Sequence, residues 1–273
     1  MDEIQSFLKK HEDYSLFLLS NLFRYGPKRG ASPFSGNYHV VREGGKIVAV
    51  FSLTNKGGML IYSEKGEEVF EEVLEKCLGE KIPIWGVFGH WEFCYPFWEF
   101  LKEKGVVQGE SLHEKDILYS LEDFSLGKKE EGVRFLEDSD YIPWKECRES
   151  YDTELGLSPL KEEELRENFI EKVNDRCIWG LFLDDELVSV ADLNAKVLDL
   201  GQVGGVYTSP HHRKKGFSKR VIGHLIYDSA HIHSLRKLII FTGEDNLAAR
   251  KVYESFNVKP KGYYALFFAK GVE

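Results

Sequence analysis

The same succession of elements occurs twice along the chain. In the first half, a turn at Glu43-Gly44-Gly45 leads into the apolar stretch Lys46–Leu53, and in the second half a turn at Asp184-Asp185 leads into Glu186–Leu193. Further on, IWGVF and a helical segment ending FLKEKGV are matched by LIIFT and a helical segment ending YESFNV. Strands that alternate with helices in two similar rounds predict a tandem α/β protein.

A polar, turn-rich run separates the two rounds. This run, EDFSLGKKEEG over Glu122–Gly132, mixes charged residues with glycine and serine. We interpret residues 122–132 as a linker between a first domain, 1–121, and a second domain, 133–273. The first domain is expected to begin with one or two helices over Asp2–Tyr25, where apolar residues recur at helical spacing.

The composition favours a folded protein and disfavours a general binder of polyanions. The 273 residues are 42% hydrophobic and 14% aromatic, which suffices for a packed core. The formal net charge is -9, whereas nucleic-acid-binding domains are typically basic. The acidic start has no signal-peptide pattern, and no apolar run reaches membrane-spanning length. We therefore expect a cytoplasmic protein with neither nucleic acid nor membrane as partner.

The residues that most often ligate metals are scattered. The cysteines show no paired spacing, which suits a reducing compartment and predicts neither a disulfide framework nor a zinc site. The histidine pairs His211-His212 and His231-x-His233 lack a Cys or paired carboxylate to complete a ligand set. We expect no metal. The four cysteines are Cys77, Cys94, Cys147 and Cys177.

A basic cluster stands out in this acidic chain. The stretch VYTSPHHRKKGFSKR, Val206–Arg220, carries five Lys or Arg residues and no acid. GQVGGVYT has the composition of a strand, Pro210 ends it, and the apolar spacing from Phe217 onward is that of an amphipathic helix. The basic residues thus stand where a helix begins, beside unpaired backbone N–H groups, which predicts a phosphate-like anion site. A solvated charged turn is the alternative.

The first half offers an internal comparison. Its corresponding strand, MLIY, is followed by Ser63-Glu64-Lys65-Gly66-Glu67-Glu68, so acids stand at the predicted helix start. Carboxylates in that position satisfy the helix dipole and repel phosphate. If the two halves share a plan, only the second is expected to bind the anion.

Two motifs of the second half resemble the GCN5-related N-acetyltransferase (GNAT) superfamily. Arg213–Ser218, RKKGFS, is similar to its Q/R-x-x-G-x-G/A signature, with serine in place of the last Gly or Ala. Asn246–Glu254, NLAARKVYE, resembles the N-x-x-A-x-x-x-Y pattern of the same superfamily. The resemblance implies two tandem acetyltransferase-like domains of α/β (α+β) class, each a mixed, mostly antiparallel sheet flanked by helices. The first domain resembles a degenerate copy without the phosphate loop.

The resemblance also implies a cosubstrate, acetyl-CoA, and the residues that bind it. In the superfamily, the amides of this loop hold the pyrophosphate, and the pantetheine arm pairs with the preceding strand. Asn246 is either a further contact to the cosubstrate or a helix cap. The implied pantetheine contacts are Val206, Tyr207 and Thr208, and the implied pyrophosphate contacts are Arg213, Lys214, Lys215, Gly216, Phe217 and Ser218.

The implied reaction is N-acetyl transfer, in which a deprotonated amine attacks the thioester. A backbone N–H near Val206 is expected to stabilise the oxyanion. Tyr253 matches the superfamily's frequent general acid, and a core aromatic is the alternative interpretation. Glu244 is a possible general base, with Asp245, Asp192 and Asp199 as further candidates and a water relay without a base as the alternative. The expected partner is a small-molecule or peptide amine acceptor.

Two other functions stay open. Aminoacyl-tRNA-dependent transferases also use tandem acetyltransferase-like halves, but they do not depend on an intact pyrophosphate signature. A non-catalytic acyl-CoA sensor would bind CoA without releasing thiol. The sequence names neither the acceptor nor the oligomeric state.

Overall fold

The computed structural model describes residues 1–156 and 160–271, which form helices and strands in alternation. The helices are α1 (Asp2–Lys10), α2 (Glu12–Tyr25), α3 (Phe70–Gly79), α4 (Trp91–Glu103), α5 (Tyr141–Glu154), α6 (Glu162–Asn174), α7 (Phe217–His231) and α8 (Leu247–Glu254). The strands are β1 (Gly36–Glu43), β2 (Lys46–Thr54), β3 (Gly58–Ser63), β4 (Gly86–His90), β5 (Glu110–Leu121), β6 (Val133–Phe135), β7 (Ile178–Leu183), β8 (Glu186–Val197), β9 (Leu200–Thr208), β10 (Lys237–Gly243) and β11 (Lys259–Ala269).

Packing divides the chain into two compact units. The first unit comprises Met1–Tyr119, Phe241–Asn246 and the chain from Pro260 onward. The second comprises Ser120–Ile240 and Leu247–Lys259. These bounds differ from the expected domains 1–121 and 133–273, because β11 lies far along the chain yet pairs in antiparallel register with β4. The C-terminal strand therefore counts with the first unit.

The two units share one pattern of strand pairing. In the first, the strand order is β1-β2-β3-β4-β11-β5, with β1/β2 and β2/β3 antiparallel and β3/β4 parallel. In the second, the order is β6-β7-β8-β9-β10, with three antiparallel pairs followed by the parallel pair β9/β10. Each unit thus has a mixed, mostly antiparallel sheet with helices, which confirms the predicted fold class.

Each unit buries an apolar core of its own. In the first, aromatic side chains of α4 pack against the sheet, and Trp98 stacks on Phe267 of β11 at 5.5 Å between ring centroids. In the second, α5 and α6 pack Trp144 and Phe169 together at 4.7 Å, over Val190 of β8. These cores hold the strands in register.

Membrane-spanning helices, metal-ligand groups and the state of the cysteines were examined in the described residues. Within residues 1–156 and 160–271, no helix is both long and apolar enough to span a membrane. The same residues contain no group of three or more His, Cys, Asp or Glu side chains arranged to hold a metal ion. All four cysteines are buried, and none of them forms a disulfide.

The packing of β11 generates a prediction about stability. Phe267 is fully buried in the core of the first unit. Phe267→Ala should lower the free energy of unfolding by about 3–5 kcal/mol, because a large side chain leaves a cavity that the core cannot fill. Denaturant titration measures this, with Lys259→Ala, at an exposed position of the same strand, as the control. A loss below about 1 kcal/mol would contradict the assignment of β11 to this core.

Candidate functional site

Strand β9 carries a bulge opposite β8. Between the pairs Val190–Tyr207 and Asp192–Gly204, β9 has one residue more than β8. Gly205 lies in this interval with a φ of +55°, a left-handed value that glycine adopts readily. The extra residue interrupts the ladder and bends the strand locally.

The other edge of β9 is only partly paired. Its parallel ladder with β10 ends at the pair Val203–Ile240, whereas β9 continues to Thr208. The last part of β9 therefore presents backbone groups that β10 does not use. Such an edge can accept an extended ligand as an additional strand.

The orientation of the peptide groups identifies which residues face this edge. Ser209 donates its N–H to the carbonyl oxygen of Val188 in β8 at 3.0 Å. Because the groups of successive residues point to opposite edges of a strand, those of Thr208 point away from β8. The carbonyl oxygen of Thr208 accepts a hydrogen bond from Arg213 Nε at 2.9 Å, whereas Val206 lies within the bulge, outside the regular ladder with β8.

A tight loop joins β9 to α7. Pro210–His212 form one turn of 3-10 helix, and Lys214 has a φ of +60°. Gly216, with φ +80° and ψ 10°, is left-handed and directly precedes the helix. A Cβ atom at Gly216 would meet nothing within 4 Å, so this glycine serves the backbone conformation and not a close contact.

The start of α7 leaves its backbone amides without an internal acceptor. The residue before the helix offers no side-chain cap, and the first turn contains no acid. The first backbone bond across this turn runs from Arg220 N to Gly216 O at 3.2 Å. The backbone N–H groups of Phe217, Ser218 and Lys219 come before that bond in the chain, so no carbonyl oxygen of the helix accepts a hydrogen bond from them. Free amides and the helix dipole together favour an anion here.

Four basic side chains, three in the loop and Arg220 in the first turn of α7, divide into two groups. Arg213 Nη2 binds Glu154 of α5 at 2.6 Å, and this hydrogen bond raises the pKa of the Arg213 guanidinium. Arg220 Nη2 donates to the carbonyl oxygen of Glu131 at 2.6 Å. Lys214 and Lys215 are exposed, and within the described part of the chain neither forms an ion pair. The two lysines are therefore the cations best placed to meet an external anion.

In the first unit, the loop between β3 and α3 carries acidic residues, and one of them accepts a hydrogen bond from a backbone N–H of the loop. The N–H of Gly66 donates to Glu68 Oε2 at 3.1 Å. The first turn of α3 carries Glu71 and Glu72. A phosphate at this helix start would meet carboxylates, which agrees with the expectation that the first half does not bind the anion.

The residues expected to perform chemistry fall in different units. Tyr253 lies on α8 in the second unit, with its side chain 5% exposed. Glu244 and Asn246 are exposed and belong to Phe241–Asn246, which counts with the first unit. Their predicted roles stay predictions. Asp199 binds Arg236 Nε at 2.8 Å in an exposed pair, which makes it a poor candidate for a base.

Several residues that shape the site were not anticipated from the sequence. Glu154 accepts from Arg213 and, at 3.3 Å, from the hydroxyl of Tyr207. Ser189 Oγ donates to the carbonyl oxygen of Tyr207 at 3.0 Å and so fixes the strand beside the bulge. No motif signals Glu154, which is 59 residues from Arg213. The pair Gly204-Gly205 inside a strand did carry a signal, because glycine there often marks a bulge.

Comparison with known proteins bears on this geometry. Residues 141–257 match the model of the acetyltransferase (GNAT) family, a segment that begins with α5 and includes the bulged strand, the loop, α7 and α8. This segment is therefore a domain of the GNAT family. No curated protein matches the chain closely enough to count as a relative. The GNAT assignment confirms the resemblance seen in the two motifs.

Solved structures resemble the chain over nearly its whole length. A Drosophila protein superposes with a TM-score of 0.73 at 13% identity, covering 100% of this chain and 96% of its own. A GCN5-related N-acetyltransferase from Kribbella flavida gives 0.58 at 15% identity, covering 93% of each chain. A tandem GNAT protein from the clavulanic acid biosynthesis pathway gives 0.52 at 13% identity, covering 94% of each. At such identities, these likenesses describe the fold of this chain alone.

Two left-handed glycines of the GNAT domain, Gly205 and Gly216, generate a prediction. A Cβ at Gly205 would lie 2.4 Å from Asp192 Oδ2, whereas a Cβ at Gly216 would lie in open space. Gly216→Ala should lower the free energy of unfolding by about 1 kcal/mol, through the left-handed backbone alone. Gly205→Ala should lower it by a further amount of about 1–3 kcal/mol, through the clash. Denaturant titration of both variants checks this, and equal losses would contradict the contact at the bulge.

Proposed function

We propose that this GNAT protein transfers the acetyl group of acetyl-CoA to the nitrogen of an amine acceptor. The observation that carries the proposal is the continuity of two features. The open edge of β9 at Val206 leads through a short loop into the amide-lined start of α7. An extended arm with a phosphate group at one end is the ligand shape that this arrangement fits.

The residues present fit acetyl-CoA. The backbone groups of Val206 would pair with the pantetheine arm, while Thr208 is limited by its bond to Arg213. The amides from Phe217 to Lys219, with the Lys214 and Lys215 side chains, would hold the pyrophosphate. Arg213 serves instead to fasten the loop to α5 through Glu154.

The bound cosubstrate supplies an activated acyl carbon. In the proposed reaction, the amine nitrogen bonds to that carbon, the carbon–sulfur bond breaks, and CoA leaves as the thiol. A backbone N–H released by the bulge near Val206 stabilises the oxyanion. Tyr253 donates the proton that the sulfur takes up, and Glu244 is the proposed acceptor of the proton that the amine loses. The acceptor is proposed to be a small molecule or a peptide.

The lysine pair can be tested by binding alone. Lys214→Ala/Lys215→Ala should weaken acetyl-CoA binding about tenfold, because two exposed cations each contribute up to about 1 kcal/mol toward the phosphates. Calorimetry measures the affinity, and the loss should shrink at high salt. The matched control is Lys9→Ala/Lys10→Ala, an exposed lysine doublet of α1. Equal affinities of the two double variants would count against the loop as the phosphate site.

The role of Tyr253 has a separate test. Tyr253→Phe removes the hydroxyl and keeps the ring, so the packing of α8 should persist. If the hydroxyl protonates the leaving sulfur, kcat for CoA release should fall about 100-fold with acetyl-CoA affinity unchanged. CoA release across a panel of amines provides the assay. An unchanged kcat would make Tyr253 a core aromatic, and CoA binding with no release on any amine would favour the acyl-CoA sensor.

The alternative function, an aminoacyl-tRNA-dependent transferase, does not require a pyrophosphate-binding loop between β9 and α7. The free amides of α7 and the adjacent lysines suit a pyrophosphate, which that class of transferase does not need at this position. Binding of tRNA without binding of acetyl-CoA would reverse the preference.

A further inference from the structure

Two carboxylates of β5 border a small open space at the end of β10. A Cβ atom at Gly243 would lie 3.8 Å from Asp116 Oδ1 and 3.8 Å from Glu114 Oε2, so both oxygens lie around the same point. Apart from the chain neighbours of Gly243, no other atom of the described residues is within 4 Å of that point. Asp116, Glu114 and Gly243 all belong to the first unit. We call this space the Gly243 gap.

The fold does not require glycine at position 243. Gly243 is not among the residues with a left-handed φ. A Cβ atom 3.8 Å from its nearest neighbours would make ordinary van der Waals contacts. Strands generally favour β-branched side chains over glycine. The missing side chain therefore leaves the two carboxylate oxygens uncovered without any benefit to the strand.

The side chain of Asp116 is buried without a partner. Asp116 is 8% exposed, and within residues 1–156 and 160–271 its carboxylate forms neither a hydrogen bond nor an ion pair. Among the same residues, Glu114 is the charged group that acts on Asp116, and no cation does. Burial, followed by the like charge of Glu114, raises the pKa of the Asp116 carboxyl to about 7. Buried carboxylates are normally paired or hydrogen-bonded, because an unpartnered buried charge is unfavourable.

The raised pKa makes Asp116 unfavourable for folding at neutral pH. The ordinary pKa of this group is 3.8, so the folded chain binds the proton more tightly than the unfolded chain does. The free energy of unfolding therefore falls as the pH rises from 3.8 to about 7. A carboxyl group that weakens the fold over this range is a candidate for a functional role.

The Gly243 gap lies at the carboxyl end of β10, the strand that pairs with β9. The ladder between the two strands ends at Ile240, and β10 continues to Gly243, its last residue. Ligands of parallel strands gather at their carboxyl ends, where neighbouring strands cease to pair. Glu244, which the proposed function makes a proton acceptor, follows Gly243 directly and is exposed. A general base works best when its pKa is near the operating pH, as that of Asp116 is.

We propose that Asp116 is the first acceptor of the proton that the amine loses, with the Gly243 gap as the space that admits the amine nitrogen. The proton passes to Asp116 Oδ1 as the nitrogen bonds to the acyl carbon and the carbon–sulfur bond breaks. Glu244 then takes the proton on to solvent. Asp116 precedes residues 141–257, so the pattern of the family does not mark it. This inference rests on the proposed function and names a catalytic residue for it.

The main experiment measures kcat/KM for CoA release against pH with one amine. In the wild type, the loss of activity toward acid pH should follow a group with a pKa of about 7. Glu114→Gln removes the like charge, so this acid limb should move to lower pH by about half a unit. The ionisation of the amine itself is the same for both enzymes and does not contribute to the difference. An acid limb that Glu114→Gln leaves in place would overturn the proposal.

A matched control removes a carboxylate elsewhere in the first unit. Glu75 is an exposed residue of α3. Glu75→Gln should leave the acid limb of kcat/KM where it is in the wild type. A shift equal to that of Glu114→Gln would assign the effect to net charge and overturn the proposal.

Two further variants test the residue and the gap. Asp116→Asn keeps the shape of the side chain, and kcat/KM should fall about 100-fold, a larger loss than in Glu244→Gln. Its free energy of unfolding near pH 8 should equal or exceed that of the wild type, because the amide does not ionise. Gly243→Val fills the gap and should lower kcat/KM about tenfold or more without loss of stability.

The outcomes separate this inference from the proposed function. A wild type that releases no CoA with any amine would remove the proposed function and this inference with it. An active wild type with full kcat/KM in folded Asp116→Asn would overturn this inference alone, as would a larger loss in Glu244→Gln than in Asp116→Asn. Acetyl-CoA affinity, measured by calorimetry, should stay within about twofold of the wild type in Asp116→Asn, because the assigned role concerns the proton of the acceptor.

Discussion

The site rests on the incomplete pairing of one strand. A β-strand has two hydrogen-bonding edges, and β9 is held by β8 along its length but by β10 only as far as Val203. A backbone edge left unpaired in this way must meet solvent or a ligand. The bulge at Gly205 adds a change of direction, so the groups around Val206 are taken out of the regular ladder. The loop and the start of α7 continue directly from this strand.

The two units show how one pattern of strands supports different electrostatics. Both place a parallel pair of strands next to a helix that follows a short loop. In the first unit, the loop amide of Gly66 is bound by Glu68 of the same loop, while in the second the helix starts with free amides and exposed lysines. The difference lies in a few loop residues and requires no change of fold. It explains why a duplicated plan would keep an anion site in only one unit.

The bulge also links backbone geometry to buried charge. Gly205 is required for its left-handed φ and because the Asp192 carboxylate occupies the space that a Cβ would need. Asp192 is in turn fastened to α6 through Lys172. Helix α5 is fastened to the loop that follows β9 by Glu154 and Arg213. The contacts of α6 and α5 thus fix β8 beside the bulge and the loop after β9.

The order of strand, loop and helix around the proposed site was predictable from local sequence patterns. Val206–Ser218 was expected to be a strand, a glycine-containing basic loop and a helix start, and the structure confirms that order because each element depends on residues close in sequence. Turn glycines, helical spacing and charge near a helix end are all local signals. The roles of Tyr253, Glu244 and Asn246 stay predictions, since they depend on how distant segments meet around a substrate.

The sequence by itself determined where the proposed anion site lies, since Gly216, the basic residues and the absence of acids in the first turn of α7 are read directly from the chain. Only the tertiary structure decided which cations are available. Arg213 is engaged by Glu154, a partner 59 residues away, and Arg220 by the backbone carbonyl of Glu131, whereas Lys214 and Lys215 are exposed. The return of β11 to the first unit and the meeting of Lys172 with Asp192 were likewise settled by packing. Contacts between distant residues follow from the shape of the folded chain, and no local pattern contains that shape.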